Sequence, residues 1–114
     1  MAPSIVVVIR EDPLKTHRAV EALRIALGLS TGDNPLTIVL LGRAPLLLSE
    51  DIEDVVDGDI LEKYLPSLKQ LSIPFVVSLG AQSEFSFTDG FTTKESSPPE
   101  IATLIAESDR VLVF

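Results

Sequence analysis

Cysteine is absent from the 114 residues, and this absence excludes more chemistry than any other feature of the composition. Without cysteine the chain has no disulfide, no thiolate nucleophile, no persulfide carrier and no thiolate-rich zinc or iron-sulfur site. Basic residues are also scarce, because 9 Lys and Arg stand against 17 Asp and Glu and give a formal net charge of -8. We therefore expect no nucleic acid and no membrane surface as a partner, since binding to both is driven by cationic patches.

Long apolar runs are missing as well, although 46% of the residues are hydrophobic. No stretch approaches the roughly 20 apolar residues that span a bilayer, and the opening residues lack the features of a secretion signal. We therefore expect a cytoplasmic protein. We also expect one domain over residues 1–114, because a chain of this length suits a single core. Neither G-x-G-x-x-G nor a P-loop motif is present, so no cofactor is expected.

Apolar segments alternate with helical patterns along the chain. The run SIVVVI at 4–9 lacks polar alternation, which is typical of a strand covered on both faces. Further strands are expected at 36–41, 73–79 and 111–114, with a short one at 91–95. The alternation predicts right-handed βαβ units, and therefore a three-layer α/β/α sandwich with a mainly parallel sheet of four to five strands.

Capping signals predict where the helices begin. They are, in chain order, Asp12 before Pro13, a capping box of Asp59 with Glu62, and a second box of Ser97 with Glu100. Pro66 lies inside the second helix and predicts a kink or a break there. The apolar faces should meet in one core, in which we expect nearly full burial of Val7, Leu23, Ile38, Val76 and Leu112.

Seven acidic residues between positions 50 and 62 raise the question of a cation-binding loop; they are Glu50, Asp51, Glu53, Asp54, Asp57, Asp59 and Glu62. The EF-hand template fails, because placing Gly58 at the invariant glycine puts Tyr64 where the bidentate glutamate belongs. We interpret the stretch as a solvated face that caps a helix, since anions near a helix N-terminus are favourable. No metal site is expected.

Four residues near the carboxyl ends of the predicted strands are candidate ligand contacts: His17, Arg43, Ser78 and Gly80. Open α/β folds bind ligands at this edge, and glycine turns there offer backbone N–H groups to anions. A small-molecule or anion-binding protein is therefore one hypothesis. An enzyme built on Ser78 and His17 is the weakest reading, because the chain has no G-x-S-x-G elbow and no second histidine, so no catalytic residue is assigned.

Two apolar clusters lie outside the main predicted strands and favour assembly into a homo-oligomer. The first is Leu46 to Leu48, and the second consists of Phe85, Phe87 and Phe91 in an otherwise polar loop. A small domain with this much apolar surface is expected to cover part of it against another copy. A hairpin over 84–93, turning at Asp89 and Gly90, is an alternative structure for the loop.

Several segments together resemble the DsrE/DsrF-like family, which includes the TusC and TusD subunits of bacterial sulfur relay. They are IVVVI, RAVEALRIALGLS, LTIVLLG, IPFVVS, GFT at 90–92 and the terminal SDRVLVF. The resemblance implies a three-layer α/β/α domain that assembles into trimers or hexamers. It also implies a cytosolic role in sulfur trafficking, with sulfur-relay proteins as partners.

One departure from the family pattern decides what the resemblance implies for function. In members that carry sulfur, a cysteine near the end of the third strand accepts a persulfide, and Ser78 stands at about that position. A hydroxyl cannot hold transferable sulfane sulfur, and no cysteine elsewhere replaces it. The resemblance therefore implies a non-catalytic oligomeric subunit or binding module.

Overall fold

The computed structural model describes residues 3–50 and 52–114, and these residues form a five-stranded sheet with helices on both faces. In chain order the elements are β1 (Ile5–Ile9), α1 (Arg18–Leu29), β2 (Leu36–Leu40), a 3₁₀ turn (Ala44–Leu48), α2 (Gly58–Gln70), β3 (Pro74–Ser78), α3 (Ala81–Glu84), β4 (Thr92–Ser96), α4 (Pro98–Glu107) and β5 (Arg110–Val113). The strand order is β4-β3-β2-β1-β5, and every neighbouring pair is parallel. The predicted fold class is confirmed.

Each face of the sheet has its own core, because successive side chains of a strand point to opposite faces. On the larger core, β-strand residues such as Ile9 and Phe75 pack with Leu23 of α1 and Leu61 of α2. The smaller core is on the opposite face, where α4 contributes Ile101; its strand members are Val6, Val8, Val39 and Val76. We call the two sides the α1/α2 face and the α4 face.

The burial predictions hold for four of the five core residues. Val7, Leu23 and Ile38 are fully buried, and Val76 is 8% exposed. The prediction for Leu112 is wrong, because this side chain is 38% exposed. β5 is the outermost strand of the sheet, so one side of it has no neighbouring strand. Apolar character identifies a strand but does not tell its place in the sheet order.

The first helix begins later than predicted. Asp12 and the proline after it form a turn, in which Asp12 Oδ1 accepts a hydrogen bond from the Leu14 N–H (2.9 Å). α1 begins at Arg18, with His17 in the cap position and no side-chain cap. An aspartate that bonds the backbone two residues ahead makes a turn as readily as a helix cap. His17 therefore lies at the start of α1.

For α2, the predicted capping box is wrong, and of the kink or break predicted at Pro66 the break is excluded. Asp59 and Glu62 form no capping box; Asp57 occupies the cap position, with a left-handed backbone (φ 62°) and no side-chain hydrogen bond to the helix. Pro66 lies within a helix that continues past it without a break. Leu61 and Leu68 are buried on either side of this proline, and their packing overrides the local preference of proline to end a helix.

The loop phenylalanines close the core instead of forming a hairpin. β4 pairs only with β3 and is the outermost strand of the sheet, and Phe87 bridges Ser49 instead of β4, so no hairpin forms over 84–93. Phe85 is buried and its ring stacks on Phe87 (centroids 6.5 Å apart), while Phe91 meets Phe75 edge to face at 5.8 Å. Leu47 and Leu48 are likewise fully buried. These clusters therefore leave little apolar surface for assembly, and the exposed apolar strand is β5.

The described part of the chain includes no helix of the length and apolar character that crossing a membrane requires.

Candidate functional site

The connections after β3 and β4 leave the sheet toward opposite faces. The segment after β3 turns to the α1/α2 face, where Ala81 and Phe85 join the larger core. The segment after β4 turns to the α4 face, where Ile101 joins the smaller core. Neighbouring parallel strands with such diverging connections open a crevice between their carboxyl ends, and α/β proteins bind ligands there. The candidate site therefore lies between Ser78, the last residue of β3, and Ser96, the last residue of β4.

The two serines are paired in the parallel register but differ in exposure. Both lie on the α4 face, because Val76, two residues before Ser78, belongs to the smaller core. Ser78 is exposed, whereas Ser96 is only 5% exposed. The Ser78 hydroxyl is therefore open to a partner or ligand at the carboxyl edge.

A carboxylate of the chain already occupies the turn that follows Ser78. Gly80 has a positive φ of 87° and precedes the short helix α3. The Gln82 backbone N–H donates to Glu95 Oε2 (2.9 Å), and the Gln82 side-chain amide donates to Thr93 Oγ1 (3.1 Å). An anion that binds at this turn must first displace Glu95 from Gln82.

Arg43 and His17 lie in loops that follow β2 and β1, at the same edge of the sheet. Arg43 Nε lies 3.5 Å from Asp12 Oδ2, so this ion pair joins the two loops. His17 is exposed at the start of α1. Within residues 3–50 and 52–114 no hydrogen bond or ion pair links either residue to Ser78. The four predicted contacts thus share one edge without forming a bonded cluster.

The cap of α4 adjoins Ser96 and is the second capping box predicted from the sequence. The Ser97 N–H donates to Glu100 Oε1 (2.8 Å), and the Glu100 N–H donates to Ser97 Oγ (3.4 Å). The hydrogen bond from the Ser97 backbone lowers the pKa of Glu100 below its ordinary value of 4.5, and the Ser97 side chain lowers it further. This box fixes the start of α4 beside the site.

A groove of about 550 Å³ runs along α4 from Ser96 toward the amino edge of the sheet. Val76 and Lys94 line it from the strands, and Thr103 and Leu104 line it from α4. Sequence reasoning missed this groove. The available signal was the count of helices, because α1 and α2 share one face and leave the single ten-residue α4 to cover the other.

The acidic stretch before α2 does not assemble a metal site in the part of the chain that the structure describes. No three of its His, Asp or Glu side chains converge there as metal ligands would. Asp51, one of the seven acidic residues of this stretch, lies outside the described residues.

A parallel α/β/α sandwich, with a candidate site between β3 and β4, is the class of protein that this geometry defines. The sequence matches the model of the DsrE/DsrF-like family over residues 4–114. The chain therefore belongs to the DsrE/DsrF-like family. The crystal structure of the ychN protein from E. coli shares the fold, with a TM-score of 0.76 and 20% sequence identity over 100% of both chains. A comparison with curated proteins found no significant match.

Proposed function

We propose that this protein is a non-catalytic subunit of a cytoplasmic sulfur-relay assembly, which binds partner proteins and copies of itself without carrying sulfur. The observation that carries the proposal is the exposed Ser78 at the carboxyl end of β3 in a chain that has no cysteine. By the family resemblance, sulfur carriers have their persulfide-forming cysteine at about this position. An alcohol is a far weaker nucleophile than a thiolate at neutral pH, and it forms no persulfide.

The surroundings of Ser78 also support a role without catalysis. A serine nucleophile needs a base within hydrogen-bond reach. His17 is the only histidine of the chain, and it lies at the start of α1, two strands away from β3 in the sheet order. His17 therefore cannot serve as the base for the Ser78 hydroxyl.

An apolar side chain beside Ser78 gives a partner something to cover. Leu79 is 62% exposed, more than any other large apolar side chain of the described residues. A sulfur-carrying relative that docks at this edge would bury Leu79 and bring its own thiol close to the Ser78 hydroxyl. The proposed subunit would then shield or orient a partner's persulfide.

Native mass spectrometry with a cysteine-bearing member of the same family tests the docking. We expect a complex with the unmodified protein, loss of that complex in Leu79→Asp, and its retention in Leu71→Asp. Leu71 is a matched control because it is also exposed but follows α2 at the opposite edge of the sheet. No complex with the unmodified protein, or equal loss in both variants, would count against docking at this edge.

A second candidate function is small-molecule or anion binding, and the groove beside α4 favours it. Its volume of about 550 Å³ is within the usual range for ligand pockets. Lys94 lines the groove, and within the described residues it forms no ion pair. Glu100 and Glu107 also line the groove, so a small ligand with an apolar body and a single anionic group facing Lys94 suits this lining. A small molecule retained in native mass spectra and lost in Lys94→Gln would support binding here.

A further inference from the structure

We infer that β5 is an assembly strand, which pairs antiparallel with β5 of a second copy about a twofold axis at Leu112. This inference deepens the assembly part of the proposed function and rests on it. It names the surface that self-association uses, and it fixes the register of the contact residue by residue.

The two edges of the sheet differ in how they are protected. All four residues of β5 are exposed, and three of them are the apolar run Val111 to Val113. Natural sheet edges usually carry lysine, proline or a bulge, which prevents pairing with another chain. The opposite edge strand, β4, follows this rule with Lys94 and Glu95 at its centre. β5 has no such guard between Val111 and Val113.

The hydrogen bonds of β5 with β1 show which of its backbone groups face outward. The Arg110 N–H donates to the Ser4 carbonyl (3.0 Å) and the Phe114 N–H donates to the Val8 carbonyl (2.8 Å). In a strand, alternate residues direct both backbone groups to the same side. The backbone N–H and C=O groups of Arg110, Leu112 and Phe114 therefore point toward β1. Those of Val111 and Val113 point away from the sheet.

These outward groups select one antiparallel register. When Val111 pairs with Val113 of the second copy, each pair exchanges two hydrogen bonds, and the symmetry supplies two such pairs. Leu112 then stands opposite its own copy as a non-hydrogen-bonded pair, the closer of the two kinds. Paired side chains share a face, so valine meets valine on the α4 face and leucine meets leucine on the α1/α2 face.

The symmetry of the exposed run favours a second copy of this chain as the occupant. Each chain carries a net charge of -8, which opposes self-association, so contact between copies is least unfavourable where acidic groups are absent. The run Val111 to Val113 is uncharged and reads the same in both directions, as an isologous contact requires. Pairing β5 onto β4 of another copy would instead set these residues against Lys94 and Glu95.

A single introduced thiol tests the register, because the natural chain has none to compete. Leu112→Cys should form a disulfide-linked dimer under mild oxidation, since the Cα atoms of a non-hydrogen-bonded pair lie about 4.5 Å apart, within disulfide reach. Val113→Cys is the control on the same strand, because it faces Val111 of the second copy rather than itself. Equal cross-linking of both variants, or none in Leu112→Cys, would overturn the proposed register.

Masses in solution then separate this inference from the proposed function. The assembly formed by the unmodified protein should contain an even number of 12.3 kDa chains. The variants Val111→Pro and Val113→Lys should each form assemblies with half that number. Val111→Pro removes an N–H that the monomer leaves unpaired, so we expect this variant to fold. Thr92→Lys is the matched control, an exposed β-branched residue on the α4 face of the other edge strand.

If both β5 variants form an assembly of the same mass as the unmodified protein, the β5 interface is overturned and the proposed function still stands. A single-chain mass for the unmodified protein at micromolar concentrations would contradict both the interface and the proposed assembly role. Far-ultraviolet circular dichroism of each variant confirms that a change in mass comes from dissociation of folded chains.

Discussion

Ser78 and Ser96 end neighbouring strands and lie opposite each other in the parallel register, yet one is exposed and the other is buried. The pair therefore offers two nearly identical backbone positions with different access to solvent. We expect Ser78→Cys to react readily with a thiol reagent in the folded protein. Ser96→Cys should react only after denaturation.

Ser78→Cys also tests persulfide loading. With a sulfane sulfur donor, the unmodified protein should gain no sulfur, whereas Ser78→Cys should gain one sulfur atom by mass spectrometry. If Ser78→Cys labels only after unfolding, position 78 is a packed site, and its correspondence with the family's sulfur-carrier position has no functional meaning.

Leu23 tests the larger core, because its side chain is fully buried between α1 and the sheet. Leu23→Ala should lower the free energy of unfolding by about 2 to 5 kcal/mol, the usual cost of removing a buried leucine side chain. Leu71→Ala, at an exposed leucine, should change it by less than about 0.5 kcal/mol. Urea unfolding measures both, and a loss below about 1 kcal/mol for Leu23→Ala would contradict this packing.

Gly28 and Gly80 should respond to alanine with opposite signs. A Cβ at either position has no atom within 4 Å to meet, so backbone conformation decides the outcome. Gly28 lies in α1, where alanine should stabilise the protein by about 0.5 to 1 kcal/mol. Gly80 has a φ of 87°, where alanine should cost about 1 to 2 kcal/mol. Thermal unfolding compares them, and equal signs would contradict the backbone assignment.

The capping box of α4 should make stability depend on pH. The pKa of Glu100 is lowered in the folded protein by the hydrogen bond from Ser97. The charged carboxylate therefore stabilises the folded state at pH values above 4.5, the ordinary pKa of this group. This contribution is lost as the pH falls through the lowered folded pKa. Glu100→Gln should therefore be less stable than the unmodified protein near neutral pH, and the difference should shrink in acid.

Glu107→Gln is the control for that experiment, because it removes a carboxylate from the other end of the same helix. Its stability relative to the unmodified protein should not follow the pattern of Glu100→Gln. Denaturant unfolding at several pH values measures both differences. A Glu100→Gln effect that grows in acid would have the wrong sign for a lowered pKa.

Local sequence patterns were sufficient for the strands and for one helix start. The run from Ile5 to Ile9 is β-branched and uninterrupted, which is typical of a strand buried on both faces. Ser97 and Glu100 bond each other's backbone three residues apart, so their pairing needs no distant partner. The carboxyl-edge position of Ser78 followed from the same strand pattern.

Features that depend on distant partners could not be read in this way. Asp12 offers the same side-chain oxygen to a turn or to a helix, and Pro66 stays inside α2 because Leu61 and Leu68 are buried on the sheet. The engagement of Gln82 by Glu95 joins residues 13 positions apart, and no local pattern announces it.

The sequence by itself determined the strands, the sandwich class, and the loss of thiol chemistry through the absence of cysteine. Only the tertiary structure decided that β5 is an edge, that the connections diverge after β3 and β4, and that the loop phenylalanines close the core. The physical reason is that side-chain periodicity records whether a face is apolar, whereas sheet order is set by which strands pair. The exposure of Leu112 depends on that order, and its neighbours along the chain carry no trace of it.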